Sequence, residues 1–219
     1  MKEKKLLFTG IIFVLGFIIL TLLLKIIDVQ PVGLNGTYIG FATLNCLFHN
    51  FTGVNMLIYY ITDWLGLIPI FCCIFFCVFG FVQLIKRRNL FKVDYDILLL
   101  GIYYSAVILG YMFFEMMPIN YRPVLIDGIL ETSYPSSTTL LTLSVMATVI
   151  FQAKRRIENL VIKKIITTFS VLFSLIMTTG RAIAGVHWLT DIIGSIILSC
   201  GLYMIYKSSI LLFDKIQNK

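Results

Sequence analysis

The chain alternates long apolar stretches with short polar ones. Six stretches approach the roughly 20 mostly apolar residues that a helix needs to cross the ~30 Å hydrocarbon core of a bilayer. These predicted spans cover residues 6–27, 65–85, 97–116, 136–151, 165–180 and 188–206. The fifth is short, and Lys163 and Lys164 at its start can reach the interface through their long side chains. The pattern predicts an all-α, polytopic membrane protein whose residues 1–219 form one six-span domain.

The composition agrees with a membrane protein and excludes other classes. Of the 219 residues, 59% are hydrophobic and 13% are charged, whereas soluble domains are about 45–50% apolar and about 25% charged. A soluble globular domain, a disordered chain and a disulfide-stapled secreted module are therefore excluded. The first apolar stretch is longer than a signal peptide core and no small-residue cleavage site follows it, so we interpret it as a retained anchor.

The net charge of +7 encodes orientation. Fifteen of the 18 basic residues fall on the side that carries both termini, which the positive-inside rule assigns to the cytoplasm. They are Lys2, Lys4, Lys5, Lys86, Arg87, Arg88, Lys92, Lys154, Arg155, Arg156, Lys163, Lys164, Lys207, Lys215 and Lys219. Trp64 and Trp188 fall at the opposite, outer interface, where tryptophan is enriched. The charge is thus mostly a topology signal, and no nucleic-acid partner is expected.

A histidine and an aspartate stand out on the predicted outer side. His187 and Asp191 are four residues apart and share one face of a helix. Asp191 can accept a hydrogen bond from one imidazole nitrogen and leave the other free as a nucleophile or base. Arg181 lies across the short turn between the fifth and sixth spans, where its guanidinium can hold a tetrahedral anion.

A proline followed by hydroxyl residues opens the fourth span. This run, residues 134–139, is typical of a helix start, where the backbone amides and the helix dipole favour a phosphate group. Ser136, Ser137 and Thr138 are therefore candidate phosphate-binding residues, and Arg122 upstream offers a second guanidinium. Taken alone, the hydroxyl run fits a helix cap, each arginine fits an interfacial anchor, and the His187–Asp191 pair fits a structural hydrogen bond. Their occurrence together at one membrane depth favours function.

These residues resemble the signatures of the type 2 phosphatidic acid phosphatase family, whose site is shared with vanadium-dependent haloperoxidases. The family signatures read K-x6-R-P, P-S-G-H and S-R-x5-H-x3-D. The chain carries them as Glu115-x6-Arg122-Pro123, Pro135-Ser-Ser-Thr138 and Gly180-Arg181-x5-His187-x3-Asp191. The six-span layout with an outer site extends the similarity over nearly the whole chain.

The resemblance implies a reaction on a lipid phosphate substrate. His187 attacks phosphorus and forms a phosphohistidine, while Asp191 orients the imidazole. Arg122, Arg181 and the amides near Ser136 and Ser137 hold the phosphoryl oxygens, and water then releases phosphate without a metal ion or another cofactor. Phosphoryl transfer depends mainly on such positioning and charge neutralisation.

Three positions depart from the family pattern. Gly180 in place of serine removes one hydroxyl group. Glu115 replaces a phosphate-binding lysine, and we expect its carboxylate to pair with Arg122 or Arg181. Thr138 stands where the family has its general-acid histidine, and threonine cannot protonate a leaving group near neutral pH. General acid catalysis is typically worth ~10²–10⁴-fold.

Two hypotheses follow from Thr138. In the first, the protein hydrolyses a polyprenyl or lipid diphosphate such as undecaprenyl diphosphate, because the departing phosphate ester is already a stable anion. In the second, catalysis is lost and the protein binds lipid phosphates. A lipid phosphotransferase would use the same residues as the hydrolase.

Two further residues of the outer side have open roles. His49 lies in a stretch with near-helical apolar spacing, which predicts an interfacial helix. It is either a surface histidine or a group placed over the site. Asp63 either pairs with an active-site arginine or caps a helix. The sequence does not predict the oligomeric state.

Overall fold

The computed structural model describes residues 2–217, so Lys219, counted above as a cytoplasmic cation, lies outside the described residues. Over this part of the chain the structure is helical, with isolated bridges but no strand. The α-helices are α1 (Lys2–Leu23), α2 (Ala42–Thr52), α3 (Met56–Leu65), α4 (Leu67–Arg87), α5 (Tyr95–Met116), α6 (Ser137–Arg156), α7 (Leu160–Ile183) and α8 (Leu189–Gln217). The predicted all-α class is confirmed.

Within residues 2–217, five segments are long and apolar enough to cross a membrane: α1, α3 with α4, α5, α7 and α8. Their mean hydropathy ranges from 1.7 to 2.8, so the chain is a multi-pass membrane protein. The segment formed by α3 and α4 has 32 residues, about 48 Å of helix, which exceeds the hydrocarbon thickness. Its second part, α4, coincides with the predicted span 65–85, and α3 precedes it in the predicted outer segment.

The predicted span 136–151 is helix α6, which is not among the five apolar segments. Its 20 residues correspond to about 30 Å of helix, but serine and threonine lower its hydropathy. Helices α4, α5, α7 and α8 pack around α6. Its buried polar side chains are Thr139, Thr142, Ser144, Thr148 and Gln152. A helix sheltered by other helices does not need an apolar surface, and six spans remain a prediction.

An ion-pair network joins the helices at the end of the bundle opposite to the candidate site. Arg156 contacts Asp96 at 2.7 Å and Asp94 at 3.0 Å, and Arg155 contacts Asp214 at 2.8 Å. Part of the basic clusters predicted at the cytoplasmic face therefore binds acidic side chains of α5 and α8. The network fixes the ends of α5, α6 and α8.

Tyr134, in the segment that leads into α6, is wedged between α1, α5 and α8. Its ring stacks on Phe17 and meets Phe114 edge-on, and its hydroxyl lies 2.9 Å from the hydroxyl of Thr21. A Cβ atom at Gly194 would lie 2.7 Å from the ring, so glycine is needed for this close approach. The packing sets the start of α6 beside the first turn of α8.

Helices α1 and α8 cross at two glycines. A Cβ atom at Gly201 would lie 2.9 Å from Val14 and 3.0 Å from the carbonyl oxygen of Gly10. We therefore expect Gly201→Leu to separate the helices and to lower the free energy of unfolding by about 1–3 kcal/mol. Thermal unfolding in detergent measures the change. Gly16→Leu in α1 is the control, because nothing lies within 4 Å of that Cβ position; equal midpoints for both variants contradict the prediction.

Candidate active site

His187 lies in the tight connection between α7 and α8. Gly185 has φ of +68°, and a Cβ atom there would lie 1.8 Å from the carbonyl oxygen of Gly53. The connection therefore docks directly on the backbone between α2 and α3, where Asn55 N–H also donates to Ala184 at 3.0 Å. This docking buries His187 almost completely.

The imidazole of His187 has two neighbours at Nδ1. The carbonyl oxygen of Ser133 lies at 3.1 Å and the Asp191 carboxylate at 3.5 Å. Asp191 also accepts a hydrogen bond from the backbone N–H of Trp188 at 2.9 Å, which closes the first turn of α8 as in a capping box. Asp191 is thus beside the imidazole as expected, but the nearest acceptor is the Ser133 carbonyl. With the Nδ1 proton directed at Ser133, Nε2 keeps its lone pair.

The two arginines lie against one aromatic ring. The guanidinium carbon of Arg181 is 4.9 Å from the centroid of Tyr59, and that of Arg122 is 5.8 Å from it. All three side chains are buried. A ring face attracts cations, so Tyr59 offsets the repulsion between the two guanidinium groups. Sequence reasoning missed Tyr59, because nothing in the sequence predicts that α3 folds over the site.

Each arginine also has an acidic partner. Arg181 Nη2 lies 3.0 Å from Asp63 Oδ1, and Arg122 Nε lies 3.1 Å from Glu131 Oε2. The expectation that Glu115 pairs with an arginine is wrong. Glu115 is exposed at the end of α5, where it accepts a hydrogen bond from Thr132 at 2.8 Å, and Asp63 and Glu131 take its place.

The hydroxyl residues at the start of α6 divide into two groups. Ser136 is fully buried; its N–H donates to the Asp191 carbonyl at 3.2 Å and its hydroxyl to Thr139 at 3.1 Å. Ser137 and Thr138 are half-buried and line a cavity of about 310 Å³ together with Asp63. Thr138 also accepts a hydrogen bond from Arg181. Ser136 therefore ties α6 to α8, while Ser137 and Thr138 face open space.

The loop between α5 and α6 is a small hairpin over the site. Antiparallel bridges join Tyr121 to Thr132 and Ile126 to Ile129, and both turn residues, 127 and 128, have positive φ, as a tight hairpin requires. The hairpin is anchored where Trp188 Nε1 donates to the Tyr121 carbonyl at 2.7 Å. Trp188 is therefore buried in the protein, whereas Trp64 is exposed.

Two more polar side chains of this loop were missed by sequence reasoning. Asn120 and Ser133 are buried beside the Asp191 carboxylate, and Ser133 N–H donates to the Asn120 carbonyl at 3.0 Å. The sequence offered one indication of their role, which is their position near the motifs: Asn120 is two residues before Arg122, and Ser133 is one residue before Tyr134.

Several buried donor and acceptor atoms of this site have no hydrogen-bond partner among residues 2–217. They include Nη1 of Arg122, Nε of Arg181 and Nε2 of His187. A buried polar atom without a partner costs about 1–3 kcal/mol. An anion with several oxygen atoms could accept hydrogen bonds from these guanidinium N–H groups, and a phosphoryl group bound there would place its electrophilic phosphorus near Nε2 of His187. In the described part of the chain, no three metal-ligating side chains come together.

His49 lies at the edge of this region. Its ring packs at 5.6 Å on Trp188, and it is half-buried in α2. A helix is present here as predicted, and it begins at Ala42; its interfacial position stays a prediction. His49 does not line the cavity that contains Thr138.

The helical bundle and its apolar helices define a multi-pass membrane protein, and it contains a buried cluster of arginine, histidine and aspartate side chains. Residues 114–211 match the sequence model of the PAP2 superfamily, and this stretch contains all three motifs. The resemblance to the type 2 phosphatidic acid phosphatase family is therefore confirmed.

A solved structure shares the fold over nearly the whole chain. It is the crystal structure of the first transmembrane PAP2-type phosphatidylglycerolphosphate phosphatase from Bacillus subtilis, with a TM-score of 0.62 and 16% sequence identity. The match covers 94% of this chain and 96% of the other. A search of curated proteins finds no match.

The charge state of His187 gives a test of the site. Burial, with the positive charges of Arg122 and Arg181, lowers the pKa of His187 well below its ordinary value. We expect the imidazole to stay neutral at pH 6, and Arg122→Gln to raise its pKa because one like charge is removed. The chain has two histidines, so NMR of histidine-labelled protein, with His49→Gln for assignment, measures the titration. A wild-type midpoint at or above 6.5 contradicts the prediction.

Proposed function

We propose that the protein is a membrane lipid phosphatase that works through a phosphohistidine at His187. The observation that carries this proposal is the convergence of two buried guanidinium groups on Tyr59, beside a buried imidazole whose Nε2 has no partner among the described residues. This arrangement binds a phosphoryl group and offers it a nucleophile. The PAP2 match over residues 114–211 supports the same chemistry.

The geometry suggests how the reaction proceeds. Nε2 of His187 attacks phosphorus while the bond to the leaving group breaks, and the Ser133 carbonyl and Asp191 stabilise the resulting positive charge at Nδ1. Arg122 and Arg181 neutralise the phosphoryl oxygens, which is the main requirement of phosphoryl transfer. Water then attacks the phosphohistidine, the P–N bond breaks, and phosphate and neutral His187 are released.

The cavity beside the site supports a substrate with a hydrocarbon chain. One end is polar and contains Asp63, Ser137 and Thr138. Apart from Gly66 and Tyr111, its other lining residues are apolar and come from α4, α5 and α6: Leu67, Ile70, Val107, Ile108, Leu140 and Leu141. The structural neighbour from Bacillus subtilis is a phosphatidylglycerolphosphate phosphatase, which favours a lipid phosphate as the substrate class.

Thr138 favours a diphosphate as the substrate. Its hydroxyl accepts a hydrogen bond from Arg181 and supplies no acid for an alkoxide leaving group. A polyprenyl diphosphate such as undecaprenyl diphosphate expels a phosphate ester instead. The roles of Ser137 and Thr138 in this proposal are to offer their amides and hydroxyls to the phosphoryl oxygens.

The proposed topology has α6 as the sixth span, both termini in the cytoplasm and the site on the outer face. The distribution of basic residues supports it, because Arg155 and Arg156 lie at the end of α6 away from Ser137. The length of α6 matches the other spans. Substrate therefore reaches the site from the outer leaflet.

A phosphate-release assay tests the function. We expect faster release from undecaprenyl diphosphate than from phosphatidate or phosphatidylglycerolphosphate, and a loss of at least ~10³-fold in His187→Ala because the nucleophile is removed. Faster release from the monoesters contradicts the diphosphate preference. If the wild type binds these lipids but releases no phosphate, the protein is a lipid-phosphate binder, and if phosphate appears on an added lipid acceptor it is a phosphotransferase.

Filling the cavity tests the path of the hydrocarbon chain. Ile108→Trp places a larger side chain in the cavity wall, so we expect KM for a long-chain diphosphate to rise about tenfold, the loss of roughly 1.4 kcal/mol of apolar contact. A short, water-soluble diphosphate should show no such change. Leu109→Trp is the matched control, because Leu109 lies on the same helix outside this cavity. Equal effects on both substrates contradict the proposed path.

A further inference from the structure

Asp63 on α3 has no counterpart in the three motifs, yet its carboxylate lies at the rim of the site and pairs with Arg181. We infer that Asp63 is the general base that accepts a proton from the water molecule hydrolysing the phosphohistidine. This inference rests on the proposed function. In the family pattern, proton transfer belongs to a histidine at the position of Thr138 on α6. Here the inference assigns proton transfer to a residue of α3.

The position of Asp63 suits a group that exchanges protons with water. Its Oδ1 lies 3.0 Å from Nη2 of Arg181, whose side chain is 2% exposed, whereas the Asp63 side chain is 55% exposed. The carboxylate therefore connects the buried guanidinium to solvent. Because Arg181 Nη2 also donates to Thr138, Asp63 and Thr138 flank the same nitrogen.

The packing around Thr138 shows why the proton-transfer group can come from α3. A Cβ atom at Gly66, the residue between α3 and α4, would lie 3.3 Å from Cγ2 of Thr138 and 2.8 Å from the carbonyl oxygen of Asp63. The α3–α4 junction thus packs directly on Thr138. One side of Thr138 is therefore covered by the segment that carries Asp63, while its other side faces the cavity.

The other titratable groups near the site are less suitable. Tyr111 lines the same cavity, but its hydroxyl interacts with Glu115. Glu131 is paired with Arg122 on the hairpin. His49 packs against Trp188 and does not line the cavity. Among the described residues, Asp63 is the one acidic side chain that lines the cavity with Ser137 and Thr138.

The chemistry of the two half-reactions is consistent with an ion-paired carboxylate. In the first, Nε2 of His187 bonds to the terminal phosphorus of the diphosphate, and the lipid monophosphate leaves with the bonding electrons and needs no proton. In the second, water bonds to phosphorus, the P–N electron pair returns to Nε2, and the water proton moves to Asp63. Asp63 then releases this proton to solvent. A carboxylate without its proton serves the second step and cannot protonate an alkoxide in the first.

Rapid-quench kinetics of the full-length protein in nanodiscs separate the two steps. The substrate is undecaprenyl diphosphate with a ³²P-labelled terminal phosphate. We expect Asp63→Asn to form the labelled phosphoenzyme in a burst and then to accumulate it, while steady-state phosphate release falls ~10²–10⁴-fold, the usual range for a lost general base. If Asp63 only holds Arg181 in place, both steps slow together and no phosphoenzyme accumulates, which overturns the inference.

Matched variants make the result specific. Glu131→Gln neutralises the acid that pairs with the other arginine, and it should not accumulate phosphoenzyme. His187→Ala should take up no label. If the wild type neither labels nor releases phosphate, the proposed function itself fails, and this outcome is distinct from failure of the Asp63 role.

Vanadate binding, as a phosphoryl mimic, shows whether each variant has a folded site. Should Asp63→Asn not bind vanadate, Asp63→Glu carries the test, because it keeps the charge but moves the carboxylate by one methylene. We then expect phosphoenzyme breakdown to slow more than its formation. Equal slowing of both steps contradicts the inference.

Discussion

The site depends on keeping two guanidinium groups buried next to each other. Removing a charge from water is costly, and two like charges repel. Tyr59 presents its ring to both arginines, Asp63 pairs with Arg181, and Glu131 pairs with Arg122. The placement of α3 and of the hairpin can be understood from this requirement, because α3 carries Tyr59 and Asp63 and the hairpin carries Arg122 and Glu131. Ordered packing of both segments around Arg181 and Arg122 is thus a condition for keeping the two guanidinium groups buried side by side.

Sequence reasoning identified the residues whose relation is local. His187 and Asp191 are one helical turn apart, and the hydroxyl run at 136–138 marks a helix start, so both could be read from spacing. The apolar runs likewise predicted the helices that face lipid. Helix α6 forms as predicted, but it is not an apolar span. The neighbouring helices surround it, so its serines and threonines are buried inside the protein.

The remaining site residues depend on how distant segments meet. Tyr59 and Asp63 approach Arg181 across more than a hundred residues of chain, and the Ser133 carbonyl reaches His187 only because Tyr134 is fixed between α1, α5 and α8. No periodicity encodes such contacts. The wrong expectation for Glu115 has the same origin. Glu115 stands at the first position of the first motif, but the acid that contacts Arg122 is Glu131, which lies opposite Arg122 on the hairpin.

The acidic partners of the two arginines also bear on the end of a reaction cycle. A site with two uncompensated guanidinium groups would hold inorganic phosphate tightly and would suffer product inhibition. Here Asp63 and Glu131 are partly exposed at the rim and pair with Arg181 and Arg122. In the proposed reaction, departure of phosphate would exchange one anion for another at each guanidinium, so that each arginine would keep a counter-charge. A substrate anion would also have to compete with these two carboxylates for the arginines. Only an anion that binds the arginines tightly enough to displace them would enter the site.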